Sequence, residues 1–171
     1  MENLELKAKC ENIETAMRHA DSLGAKRHWT RHQIDTYFVV ERGKLKLRQV
    51  KNEPAELIAY ERPADRNANV SNYFIYSTFD GTHLNQVLTH ALVKDVAVNK
   101  ERTLYTWKNV RIHFDHVQHL GDFIEFEAVL ENKNDLDKSR ERLRFLQSFF
   151  KIKTEQLIDV GYFDLLKDEL K

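Results

Sequence analysis

Apolar and polar residues alternate at period two through most of this chain, and follow helical spacing through four shorter stretches. In "NLELK", Leu4 and Leu6 fall on one face of a strand while Asn3, Glu5 and Lys7 fall on the other. The same alternation predicts strands over roughly residues 2–10, 29–41, 44–51, 55–62, 71–79, 96–107, 109–118 and 122–131. Gly43, "EPA", "DRNAN", "WKN" and Gly121 supply the breaks. Several strand pairs are separated by only a few residues, which favours antiparallel hairpins over parallel crossovers. In "NIETAMRHADSLG", Ile13, Ala16, Met17, Ala20 and Leu23 form one stripe, with Asn12 as N-cap and Gly24 as the stop. "GTHLNQVLTHALV" repeats the pattern with Leu84, Val87, Leu88, Ala91 and Leu92, and "NDLDKSRERLRFLQSFF" with Leu136, Leu143, Leu146 and Phe150. "VGYFDLLKDEL" predicts a short final helix. The expected fold is α+β, mainly antiparallel β: an eight-stranded barrel with helices packed outside.

The polar faces of these strands carry charge. "KLKLR" aligns Lys44, Lys46 and Arg48, and "VNKER" aligns Lys100 with Arg102. "RIHFDHV" aligns Arg111, His113 and Asp115, and "FIEFEAVL" aligns Glu125 with Glu127. One such strand is an ordinary half-solvated strand. Five of them, some acidic and some basic, ask for more. The apolar helix stripes must be covered, and the apolar strand faces are the available partners. The charges are then expected on the inner face, where they need pairing, water or a ligand. Converging bases would hold a polyanion, and neighbouring acids would hold a divalent cation through oxygen. A polyphosphate with Mg²⁺ or Mn²⁺ uses both sets.

Composition narrows the classes. At 171 residues the chain is expected to form one domain over residues 1–171, and Lys+Arg balances Asp+Glu at 27 each. A neutral total argues against nucleic acid or a membrane surface as partner. The single cysteine, Cys10, permits no intramolecular disulfide. With no apolar leader or spanning segment in this sequence, a cytoplasmic protein is expected.

Taken in order, "NLELKAKC", "DTYFVV", "KLKLR", "YERP", "NKERTLY", "RIHFDHV", "LGDFIEFE" and "GYFDLL" resemble the CYTH superfamily over nearly the whole chain. This group, the triphosphate tunnel metalloenzymes, is named for class IV adenylate cyclase and thiamine triphosphatase; the likeness is to its cyclase-like branch. The resemblance implies a closed eight-stranded tunnel with a charged lumen holding a triphosphate, ATP being a candidate, and divalent metal, Mg²⁺ or Mn²⁺, on the acidic strands. It implies Glu5, Asp115, Glu125 and Glu127 as metal ligands. It implies Lys7, Lys46, Arg48, Arg62, Lys100, Arg102, Arg111 and Tyr162 as substrate contacts, with Lys7, Lys100 and Arg102 in catalytic roles. The chain departs from the family pattern at Asn3, where the first Glu of E-x-E-x-K belongs, and at Glu61, where many members carry Lys. The expected activity is metal-dependent hydrolysis or cyclisation of a triphosphate. The alternative is a non-catalytic polyphosphate or nucleotide sensor, and a homodimer is compatible with either.

Three other features carry less. His113, His116 and His119 form H-x₂-H-x₂-H, but positions three apart on a strand face opposite sides, against a shared zinc. Cys10 falls on the Leu4/Leu6 side, away from the charged face. The aromatics of "DTYF" and "SNYFIY" read either as surfaces for stacking on a base or as core.

Overall fold

The computed structural model describes residues 2–61, 72–130 and 136–170. The elements are β1 (Glu2–Lys9), α1 (Ile13–Ser22), β2 (Lys26–Phe38), β3 (Lys44–Val50), β4 (Ala55–Glu61), β5 (Asn72–Thr78), α2 (Gly81–Ala91), β6 (Lys94–Trp107), β7 (Val110–Val117), β8 (Gly121–Leu130), α3 (Leu136–Phe149), β9 (Leu157–Ile158) and α4 (Tyr162–Glu169). The chain divides into two compact units: Met1–Thr30 with Glu101–Val117 and Gly121–Asp159, and Arg31–Lys100 with Gln118–Leu120 and Val160–Lys171. The long strands β2 and β6 pass from one unit into the other.

The hydrogen-bonded strand order is β5-β4-β3-β2-β6-β7-β8-β1-β9. The mostly antiparallel α+β architecture is as expected, and the strand order differs from a closed eight-stranded barrel in two respects. A ninth strand, Leu157–Ile158, lies against Lys7 and Ala8 of β1; at two residues it is too short to show a period. Among the described residues the sheet is also not closed by hydrogen bonds, with β5 and β9 at its ends.

In the first unit, Ile112, Phe114, Ile124, Phe126 and Ala128 form the sheet side of a dry core. Leu143 and Leu146 of α3 and Ala20 of α1 close it, with Leu4, Leu6, Ile13, Met17 and Phe150 packed around them. The caps expected for α1 are formed. Asn12 Oδ1 accepts from the Thr15 N–H at 2.8 Å, and Gly24, at φ +75°, turns the chain so that the Ala25 N–H reaches Ala20 O at 3.0 Å. In the second unit, Leu84, Leu88 and Leu92 cover Phe38, Leu47 and Ala55. The β2–β3 turn needs its glycine: at Gly43 (φ +66°) a Cβ would stand 2.6 Å from Tyr60 O. Both cores take the apolar strand faces, as expected.

Candidate functional site

Register places the charges of the first unit in rows. Across β1, β8 and β7, Glu5 stands opposite Glu127 and Glu127 opposite Arg111, while Lys7 stands opposite Glu125 and Glu125 opposite His113. Asp115 lies opposite Phe123, which ends the acid row of β8. This face is not solvated: Asp115 is 0 %, His113 6 % and Glu125 8 % exposed. Groups so buried persist as charges only when paired, and they are paired. Glu125 meets Lys7 at 3.1 Å, His113 at 3.4 Å and Arg102 at 3.7 Å. Arg102 grips both oxygens of Asp115 at 2.6 Å. Glu127 accepts from Asn3 Nδ2 and meets Arg111 at 3.3 Å. Burial pushes the Glu125 carboxyl up, but Lys7, Arg102 and His113 together hold it well below its usual range. Burial, helped by Arg102, lowers His113, so its imidazole is neutral at pH 7.

The second unit gathers bases around one acid. Asp35 of β2, with only 2 % of its side chain exposed, receives Lys46 at 3.0 Å, Lys100 at 2.9 Å and both Nε and Nη2 of Arg48 at 2.8 and 2.9 Å. Tyr37, on the same face of β2, is buried beside them; Lys46 lies 5.6 Å from its ring centre and 5.8 Å from that of Tyr60. Tyr162 of α4 lies under Lys100 at 5.9 Å, and Asp164 holds Lys44 at 2.7 Å. Burial lowers Lys46 to about 7, with Asp35 opposing and Arg48 and Lys100 adding to the fall.

Among the twelve predicted site residues, then, Lys7, Arg102, Arg111, Glu5, Asp115, Glu125 and Glu127 stand on β1, β6, β7 and β8 in the first unit, and Lys46, Arg48, Lys100 and Tyr162 in the second. Arg62 lies outside the described residues. Glu61 pairs with Arg42 at 3.4 Å in an exposed position. The histidine triplet does not converge: His113 turns to Glu125, His116 to Asp122 at 2.6 Å, and His119 sits in a turn at φ 70°. Phe38 is core, whereas Phe74 and Tyr76 are exposed. Three residues carry more than their sequence pattern disclosed: Asp35, which joins the bases; His113, which touches the acids; and Asn3, whose Oδ1 is buried without a hydrogen-bond partner.

The fit to a divalent cation is uneven. Among the described residues no three His, Cys, Asp or Glu side chains converge as a metal cage would, and protein cations pair with Glu125 and Glu127. Asp115 has both oxygens committed to Arg102. The donor chemistry does fit. Glu5 and Glu127 are carboxylates directly opposite each other, an arrangement that repels unless something positive joins them. Asn3, whose Nδ2 donates to Glu127, adds a buried neutral oxygen, Oδ1, that has no hydrogen-bond partner. Hard divalent ions take such oxygens.

A mostly antiparallel α+β protein whose polar strand faces carry buried, interleaved acids and bases is thus defined. The chain belongs to the CYTH family, whose domain matches residues 1–162. Its fold is that of the PH1012 protein from Pyrococcus horikoshii OT3 (TM-score 0.84, 22 % identity, covering 96 % of this chain and 99 % of that one). It is also that of a candidate adenylate cyclase from Vibrio parahaemolyticus (0.81, 16 %, 98 % and 98 %). A third likeness is to HpAC1 from Hippeastrum, a candidate adenylyl cyclase described as having a dominant triphosphatase activity (0.70, 14 %, 98 % and 96 %). No curated protein matches the chain. No helix among the described residues is long and apolar enough to cross a membrane.

Proposed function

We propose that the protein is a divalent-metal-dependent enzyme acting on a triphosphate, by hydrolysis or by cyclisation of a nucleoside triphosphate. The observation that carries this reading is the convergence of Lys46, Arg48 and Lys100 within 3.0 Å of one buried carboxylate. Three cations held so close form a natural receptor for several phosphate oxygens. Family membership and the cyclase and triphosphatase character ascribed to structural neighbours support it.

In this reading Lys46, Arg48 and Lys100 neutralise and orient the phosphates, with Tyr162 under Lys100. Arg102, held by Asp115, and Lys7, held by Glu125, supply cationic groups for the charge that develops on transfer, and Arg111 and Arg62 are further substrate contacts. Glu5, Glu125 and Glu127, with Asn3 Oδ1, would hold Mg²⁺ or Mn²⁺, which supplies charge neutralisation and polarises the bond under attack. The attacking group is water or a ribose hydroxyl. A screen of nucleoside and inorganic triphosphates with each metal, read for released phosphate and for cyclic nucleotide, tests the proposal. Absence of both products with every substrate would leave the second reading, a polyphosphate sensor. That reading draws on the pairing of Asp115, Glu125 and Glu127 with protein cations.

Lys46 gives a pH signature. An anion favours its ammonium form, so metal-free tripolyphosphate should bind best below about pH 7 and lose up to about tenfold in affinity as pH rises through that value. Stability runs the other way. The folded value of about 7 lies below the ordinary 10.5, so the native state binds fewer protons between them and this group's contribution rises with pH across that window. Calorimetric titrations from about pH 6 to 9 check the affinity; Lys46→Met should flatten the profile, and an unchanged slope in that variant would assign the effect elsewhere.

Asn3 gives a metal signature. Its amide donates to Glu127, whereas a carboxylate there would repel Glu127 until a cation joined them. Asn3→Glu should therefore tighten Mn²⁺ binding about tenfold, roughly 1.4 kcal/mol. Superimposable Mn²⁺ titrations of the two proteins at fixed ionic strength would remove residue 3 from the metal site.

A further inference from the structure

The Asp35 carboxylate is the point on which the bases of the second unit meet, and a phosphate receptor has no evident need of an acid. Its Oδ2 accepts from Lys46, Lys100 and Arg48 Nη2, while Oδ1 accepts from Arg48 Nε. The donors come from β3 and β6, and lie 11, 13 and 65 residues away in the chain. Without an anion between them, two ammonium groups and a guanidinium would repel strongly at these separations in so dry a place. Burial pushes the Asp35 carboxyl up, but Lys100, Lys46 and Arg48 outweigh it, so the group stays ionised. Counting Asp35 as −1 and each base as +1, the assembled cluster carries 3 − 1 = +2 with Lys46 charged. It therefore attracts a polyanion while its parts stay in place.

The geometry also fixes direction. The two-point contact to Nε and Nη2 sets the plane of the Arg48 guanidinium, which a single contact would leave free to turn. Each ammonium has three N–H groups, and Asp35 takes one, setting the cone in which the others point. Tyr37 and Tyr60 flank Lys46 and limit where else it can go. We propose that Asp35 is a positioning residue: it pre-assembles Lys46, Arg48 and Lys100 so that a substrate's phosphates meet oriented donors. Asp35 itself touches no substrate. The inference rests on the triphosphate reading above.

The proposal separates binding from turnover. In Asp35→Asn the shape is kept and an amide oxygen remains, but the negative charge is gone. An incoming polyphosphate then supplies the missing counter-charge, while the shared carboxylate that oriented the bases beforehand is gone. Calorimetry with metal-free inorganic tripolyphosphate, thermal melts with and without it, and steady-state kinetics on the substrate found by the screen test this. The expected result for Asp35→Asn is tripolyphosphate affinity equal to wild type or a few-fold tighter, a larger ligand-induced rise in Tm, and kcat at least tenfold lower. Asp35→Glu, which keeps the charge but displaces it, covers the case in which the Asn variant does not fold; it should bind tripolyphosphate within about twofold of wild type and again lose kcat. Affinity falling in step with Tm would mark Asp35 as a structural residue and overturn the proposal, as would unchanged kcat in both variants. Failure of the wild type to bind tripolyphosphate would instead overturn the triphosphate reading itself.

Discussion

Glu127→Gln is expected to reduce metal-dependent turnover at least a hundredfold while leaving the fold intact. Glu127 stands opposite Glu5 and accepts from Asn3 Nδ2, so that three oxygen-bearing side chains share one strand face. Its own partners tolerate the change. A glutamine oxygen still accepts from Asn3, and Arg111, with 44 % of its side chain exposed, is solvated without its partner. The lost exposed ion pair should cost no more than about 1 kcal/mol, whereas removal of even an outer-sphere metal partner commonly costs ten- to a hundredfold. Glu125→Gln should behave differently. An acid row considered alone would be relieved by losing a carboxylate. Glu125, however, is the buried counter-charge of Lys7 and Arg102, so removing it should lower stability by about 3 kcal/mol as well as turnover. Its folded pKa lies well below the ordinary 4.5. The stability it confers is thus complete above that range and is lost as pH falls below it. Denaturation at about pH 7 and about pH 3 should show the gap between wild type and Glu125→Gln narrowing in acid. Wild-type turnover in Glu127→Gln would take Glu127 out of the metal site; wild-type stability in Glu125→Gln at neutral pH would show that Lys7 and Arg102 do not depend on it.

Arg102→Met should be the most destabilising single change in the charged face. Asp115 is fully buried and receives two charge-assisted hydrogen bonds from this one guanidinium. Breaking a buried pair from one side removes the counter-charge that grips both carboxylate oxygens, at about 3–5 kcal/mol. For a chain of this size that is a fall in Tm of roughly 10 °C. The double variant Arg102→Met with Asp115→Asn removes both charges and should recover part of the loss, so the two effects should not add. Denaturant midpoints for wild type, both singles and the double measure this. Additive losses would mean that the pair is not coupled. Recovery of stability without turnover is the expected pattern, since Arg102 is assigned to the chemistry and Asp115 to holding it.

The alternation of "NLELK", "KLKLR" and "FIEFEAVL" assigned each charged residue to a strand face correctly, because period two is a property of the extended backbone and needs no tertiary partner. Asn12 and Gly24 marked the ends of α1 for the same reason, since a cap acts on its own helix. β9, at two residues, offered no period to detect.

What local pattern leaves open is which faces are dry and which charges meet. Asp35 is one acid in "DTYF", with nothing in its neighbourhood to mark it. Its role arises from Lys46, Arg48 and Lys100, which hairpin register and β6 bring within 3.0 Å of it. Register likewise set Glu5 against Glu127 and Lys7 against Glu125, so that two acids of similar sequence context have different neighbours: Glu127 meets the half-exposed Arg111, and Glu125 is the buried counter-charge of Lys7. The sequence by itself determined strand faces, helix caps and the supply of acids and bases, because these follow from backbone period and local hydrogen bonding. Pairing, burial and ionisation were decided only by the tertiary structure. They depend on Coulomb interactions that act over a few ångströms in a medium from which packing has removed the water.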